Sequence, residues 1–127
     1  MQCEPAADSL CQVDARVVAE LGRVSGSAKL YCRLVDLFRT GSSEALAQLR
    51  SALSGSGFQP ARAVCHKLKS SAANVGALAF SRQVALLEQR CAEEDLTRAR
   101  ELLEGLQAAH SGLLTELARC DVQLTRT

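Results

Sequence analysis

What this 127-residue chain lacks narrows it first. It has no tryptophan, one tyrosine and three phenylalanines, so aromatic residues make up only 3% of it. Its core must therefore be aliphatic, built on Leu, Val and Ala, which disfavours strand-rich folds that draw on β-branched and aromatic side chains. Helices packed side by side suit that composition. Neither sign of charge dominates: fifteen basic against fourteen acidic residues leave a net +1. That balance argues against nucleic acid, whose binders carry a basic patch or stripe. No apolar run approaches the roughly 18 residues of a membrane span, so no membrane contact is expected, and no signal peptide is visible. A chain of this length buries one core and not two.

Metal-binding patterns are missing as well. Six cysteines are present, at 3, 11, 32, 65, 91 and 120. None forms C-x-x-C, and none stands at zinc-finger distance from either histidine. Cys32, Cys65, Cys91 and Cys120 fall inside helical patterns, where a free thiol acts as a small hydrophobe. The expectation is reduced cysteines, in keeping with the cytosol, and no metal site.

What is present is helical periodicity. Residues 1–11 have none and read as a flexible tail or linker, leaving 12–127 as the domain. Val13, Val17, Val18 and Leu21 predict a short helix closed by Gly22 or Ser25-Gly26. Ser27 is a candidate cap for the next, whose inner face is read as Leu30, Leu34, Leu37 and Phe38. Ala45, Leu46, Leu49 and Leu53 resume the pattern beyond Gly41, favouring one long helix, and Ser54–Gly57 reads as a loop. A third helix opens near Phe58, with Pro60 in its first turn, and runs to about Val75. A fourth spans Ala77 to Cys91, with Leu78, Val84, Leu87 and Cys91 inward. Asp95 then caps a fifth, marked by Leu96, Ala99, Leu102, Leu103, Leu106, Leu113 and Leu117. Gly105 and Gly112 weaken it by about 1 kcal/mol each relative to Ala. Short connections force antiparallel neighbours. The predicted fold is all-α: an antiparallel up-down four-helix bundle with an additional short N-terminal helix.

One histidine stands out. In the third helix, Ala61, Val64, Leu68, Ala72 and Val75 form an apolar stripe, and His66 projects about 155° from its centre. His66 therefore faces outward, beside Arg62, Lys69, Ser70 and Ala73 at helical-neighbour spacing. An imidazole on a rigid helix, with cations beside it and small residues following, suits an accessible nucleophile that must carry a negative group. A neutral imidazole, with an ordinary pKa of about 6.5, is a good nucleophile at pH 7. If the third and fourth helices pair about Ala77, Glu88 lies as far after that residue as His66 lies before it, eleven positions. A carboxylate accepting the Nδ1 proton would leave Nε2 free to attack. A solvated surface carboxylate is the other reading of Glu88. His110 has no such company and reads as structural.

His66 to Gly76, HKLKSSAANVG, resembles the signature of histidine-containing phosphotransfer (HPt) domains, H-x-L-K-[GS]-[SA]-[SA]-x-x-[hydrophobic]-G. Phe58, eight residues before the histidine, also fits. Ser70 stands where many members carry Gly. The resemblance covers nearly the whole chain beyond the first dozen residues and points to bacterial hybrid sensor histidine kinases of multistep two-component phosphorelays. It implies a cytoplasmic phosphocarrier, without ATP-dependent kinase activity of its own, that accepts a phosphoryl group on His66 from a receiver-domain aspartate and passes it to another receiver. Lys69 would stabilise the phosphoryl oxygens, Glu88, Arg62 and Lys67 would support, and Ser70 and Ala73 would keep the docking surface low. The partners implied are response-regulator receiver domains and a sensor histidine kinase, the latter placing this domain at the cytoplasmic C-terminal end of a membrane-bound protein. No cofactor is expected on this chain, and Mg²⁺ would belong to the receiver. The domain is expected to be a monomer. The competing reading is a helical adaptor that binds a receiver or kinase without being phosphorylated.

Overall fold

In the computed structural model, which describes residues 9–25 and 29–125, the chain is helical straight through Gly41. Five α-helices are present among the described residues, and no strand: α1 (Ala15–Ser25), α2 (Lys29–Ser51), α3 (Phe58–Asn74), α4 (Leu78–Ala92) and α5 (Leu96–Thr125). Helices α2, α3, α4 and α5 each pack on the next, α5 returns to α2, and α1 lies against α2. This is the expected all-α bundle with a short additional helix at its N-terminal side.

Helix α2 stays whole because its packing outlasts the cost of one exposed glycine, about 1 kcal/mol. Tyr31, Val35, Phe38, Ser42, Leu46 and Leu49 are all buried, at three- and four-residue spacing across Gly41. The inner face expected from the leucines is therefore wrong in part. Leu30 and Leu37 are exposed and Leu34 is half-buried, while Tyr31 and Val35 carry the core. Two apolar stripes run side by side on this helix, and its neighbours select the one bearing the aromatics. Phe38 meets Phe80 edge to face, with ring centroids 6.1 Å apart, a favoured aromatic geometry. Tyr31 donates its buried hydroxyl to the Val75 carbonyl at 3.2 Å, tying α2 to the end of α3.

The stretch expected as a loop after α2 is a π-helical turn, Ala52–Ser56, closed by Gly57 N–H to the Ala52 carbonyl at 2.8 Å. Arg100 on α5 donates to the Leu53 carbonyl at 3.3 Å and holds the turn against the bundle. Pro60 sits in the first turn of α3, where a missing N–H costs nothing. On α4, Leu78 is only half-buried, and Phe80, passed over in the periodicity, is fully buried instead. Leu96 at the start of α5 is exposed, whereas Ala99, Leu102, Leu103, Leu106, Leu113 and Leu117 are buried as expected. Asp95 caps α5, its Oδ1 accepting from Arg98 N–H at 3.1 Å.

One departure concerns the N-terminal part. Residues 9–11, read as tail, form a 3-10 turn (Ser9–Cys11) whose Leu10 is buried against α4 and α5. Gly112 makes room for it, since a Cβ there would stand 2.8 Å from Cys11 Sγ. Helix α1 runs through Gly22 to Ser25 and is capped by Asp14, whose Oδ1 accepts from Arg16 N–H at 2.8 Å. Ser27, and residues 1–8 of the expected tail, lie outside the described residues.

The α3–α4 connection fixes the register that matters for function. Gly76 has φ +88°, a conformation that side chains with a Cβ rarely adopt. It is also crowded: a Cβ would lie 3.2 Å from both the Asp14 carbonyl and Val13 Cγ1. Asp14 N–H donates to the Gly76 carbonyl at 2.8 Å, so the segment before α1 buttresses the hairpin turn.

Candidate functional site

His66 stands on the solvent side of α3, its side chain 73% exposed, because the opposite face buries Ala61, Cys65, Leu68 and Ala72. The hairpin brings Glu88 of α4 opposite it, with Glu88 Oε2 3.5 Å from His66 Nδ1. That separation is too long for a strong hydrogen bond, but it is within ion-pair reach. The other carboxylate oxygen, Oε1, accepts from Lys69 Nζ at 2.8 Å. Lys69 lies one turn along α3 from His66, so one carboxylate spans both residues. No hydrogen bond reaches His66 Nε2 among the described residues, and that nitrogen is open to an incoming group.

Electrostatics and packing support the arrangement. The hydrogen bond from Lys69 holds the Glu88 carboxyl below its ordinary value of 4.5, against the rise that partial burial would cause, so Glu88 is an anion at neutral pH. The backbone beneath Lys69 is also held: Ser81 on α4 donates its hydroxyl to the Lys69 carbonyl at 2.7 Å. Ser81 was not among the residues picked out from sequence. A serine midway between Leu78 and Val84, at three-residue spacing in the inner-face series of this helix, is the signal the sequence offers.

The remaining sequence candidates are scattered more widely. Ser70 is exposed and Ala73 half-buried, both on the outward side of α3 beyond Lys69. Arg62 is exposed one turn before His66, close enough to Cys91 to oppose the upward push that burial gives that thiol. Lys67 is not drawn to the His66–Glu88 pair. It lies on the other flank of α3, at a groove of about 370 Å³ between α2 and α3 lined by Leu37, Gly41, Ala45 and Val64 among others. The groove is partly apolar, and Leu37 at its edge is 66% exposed.

The thiols nearest the site are inert. Cys65, directly behind His66, is fully buried, and burial pushes its pKa up to about 12. None of Cys11, Cys32, Cys65, Cys91 and Cys120 is in a disulfide. His110 lies elsewhere, with Nε2 2.7 Å from Ser42 Oγ across the α2–α5 contact. Among the described residues no group of three or more His, Cys, Asp or Glu is placed to hold a metal ion. No helix there is long and apolar enough to cross a membrane.

Chemically, the site is an accessible imidazole facing a carboxylate, with an ammonium group one turn away. Such a set can orient a neutral ring, expose one nitrogen as a nucleophile and neutralise an anion placed on it. In comparison with known proteins, the family model described as Hpt domain matches residues 33–119, more than half of the chain. No curated protein and no solved structure matches it.

Proposed function

Since the chain belongs to the Hpt domain family, whose members carry out histidine phosphotransfer in phosphorelays, we propose that His66 is its phosphoacceptor, taking the group from a receiver-domain aspartate and passing it to another receiver. The observation that carries this reading is the exposed His66 ring with Nδ1 toward Glu88 and Nε2 open. With the ring proton kept on Nδ1, the Nε2 lone pair attacks phosphorus in line while the aspartyl oxygen departs. Such a transfer needs positioning and charge neutralisation more than covalent help from the protein. Lys69 supplies the nearest positive charge, Glu88 orients the ring, and Arg62 adds a more distant cation. Lys67, facing the α2–α3 groove, fits the docking surface better than the reacting centre. The receiver brings the aspartyl phosphate and its Mg²⁺.

Docking follows the same face. Ser70 and Ala73 keep the surface beside His66 low, and the α2–α3 groove with exposed Leu37 extends it with an apolar contact. The domain works in the cytoplasm, where receivers are, and serves a sensor kinase of the hybrid type. The test is transfer from phosphorylated receiver domains, with Mg²⁺, to the wild type and to His66→Gln. Acid-labile, alkali-stable label on the wild type alone is expected. A wild type that binds a receiver but takes no label from any would overturn the carrier reading in favour of an adaptor.

A further inference from the structure

The two oxygens of Glu88 hold unequal partners. Oε1 accepts a short bond from Lys69 Nζ, 2.8 Å, while Oε2 stands off from His66 Nδ1 at 3.5 Å. The residue best placed to neutralise a phosphoryl group is thus engaged by a carboxylate before any phosphoryl arrives. The Lys69 side chain is 34% exposed and that of Glu88 23%, so the pair is only partly screened by water.

Resting on the carrier reading above, we propose that Lys69 and Glu88 exchange partners when His66 is phosphorylated: Lys69 leaves Glu88 for the phosphoryl oxygens, and Glu88 closes on the ring's Nδ1–H.

The charges drive the exchange. On transfer the Nε2–P bond forms, the aspartyl O–P bond breaks, the receiver aspartate leaves as a carboxylate, and Nδ1 keeps its proton. A neutral ring and a dianionic acyl phosphate become a carboxylate and a cationic ring bearing a dianionic phosphoryl group. Lys69 then has a dianion within reach in place of a single carboxylate. Glu88 faces a cation where it had faced a neutral ring. Each gains a stronger charge-assisted bond by changing partner. The motion required is small. His66 and Lys69 are neighbours one helical turn apart, the lysine stem is flexible, and Ser81 holds the Lys69 carbonyl in place while the side chain turns.

One energetic consequence is specific to the exchange. Attraction between Lys69 and Glu88 belongs to the unphosphorylated protein and is lost in the phosphorylated one, so the two residues are coupled in the transfer equilibrium. The experiment measures the equilibrium ratio of phosphorylated carrier to phosphorylated receiver for the full chain as wild type, E88Q, K69M and the E88Q/K69M double variant. The factor by which E88Q changes that ratio should be more favourable to the carrier, by roughly three- to tenfold, with Lys69 present than in the K69M background. Equal factors overturn the exchange, because a structural role for either residue would shift both backgrounds alike. A second readout is the ¹⁵N signal of the Lys69 ammonium. It should move on phosphorylation of the wild type and also, without phosphorylation, in E88Q, and a signal that stays put in both overturns the proposal. A wild type that takes no label overturns the carrier reading itself, and the exchange with it.

Discussion

Replacing Gly76 by alanine tests the turn on which the site's register depends. Two costs add at this position. The φ of +88° places an L side chain in a left-handed conformation, at roughly 1–2 kcal/mol. The new Cβ also meets the Asp14 carbonyl and Val13 Cγ1 at 3.2 Å, and crowding of this kind costs roughly 1–3 kcal/mol. The carbonyl has little room to retreat, because the adjoining Asp14 N–H is bonded to Gly76 itself. Stiffening of the unfolded chain returns roughly 0.4–1 kcal/mol. The expected net loss is roughly 2–3 kcal/mol, out of the 5–15 kcal/mol typical of a domain. For a chain of this size, that lowers Tm by roughly 8–12 °C. Urea unfolding followed by far-ultraviolet circular dichroism reads it directly, with an unchanged m-value showing that the unfolded state is the same. Gly76→Asn separates the two causes, since Asn tolerates positive φ better than Ala but is bulkier. If strain dominates, Asn costs less than Ala, and if crowding dominates it costs more. A loss under about 0.5 kcal/mol for G76A would refute the whole account.

Two further outcomes follow from burial. His110 is held below its ordinary value of 6.5 by burial, so the unfolded chain takes up a proton before the folded one does. Stability should therefore fall as pH drops from about 6.5 through the lower folded value, and His110→Gln should flatten that part of the Tm–pH curve. An unchanged slope would show that the ring pays no burial penalty. On α2, Leu37→Ser should cost less than about 0.5 kcal/mol, since Leu37 is 66% exposed, while weakening receiver binding. Leu49→Ala, at a fully buried position, should cost roughly 2–5 kcal/mol in the same denaturation assay.

Much of the site could be read along the chain because it rests on local rules. His66 faces outward because the apolar residues Ala61, Leu68 and Ala72 recur at helical spacing on the opposite side of α3, and that periodicity survives in any helical context. The approach of Glu88 to His66 could be reached by counting, because a connection of only three residues, Val75 to Ala77, leaves two antiparallel helices little freedom to slip. Asp95 declared itself as a cap by its chemistry alone. The inner face of α2 was not available in this way. Leu30, Leu34 and Leu37 are as regularly spaced as Tyr31, Val35 and Phe38, and nothing within the helix ranks one stripe above the other. Helical spacing places Lys69 beside His66 and turns Lys67 away from it, but the surface that Lys67 meets is not written in α3.

The sequence by itself determined the helical class, the outward-facing His66 and the hairpin that carries it, because hydrophobic periodicity and short turns act over a few residues. Tertiary structure alone decided which stripe of α2 is buried, that Leu10 docks on α4 and α5, that Lys67 faces the α2–α3 groove, and that Lys69 bonds to Glu88 at 2.8 Å. Each of these depends on which surface arrives opposite from a distant part of the chain, and no local pattern encodes that arrival.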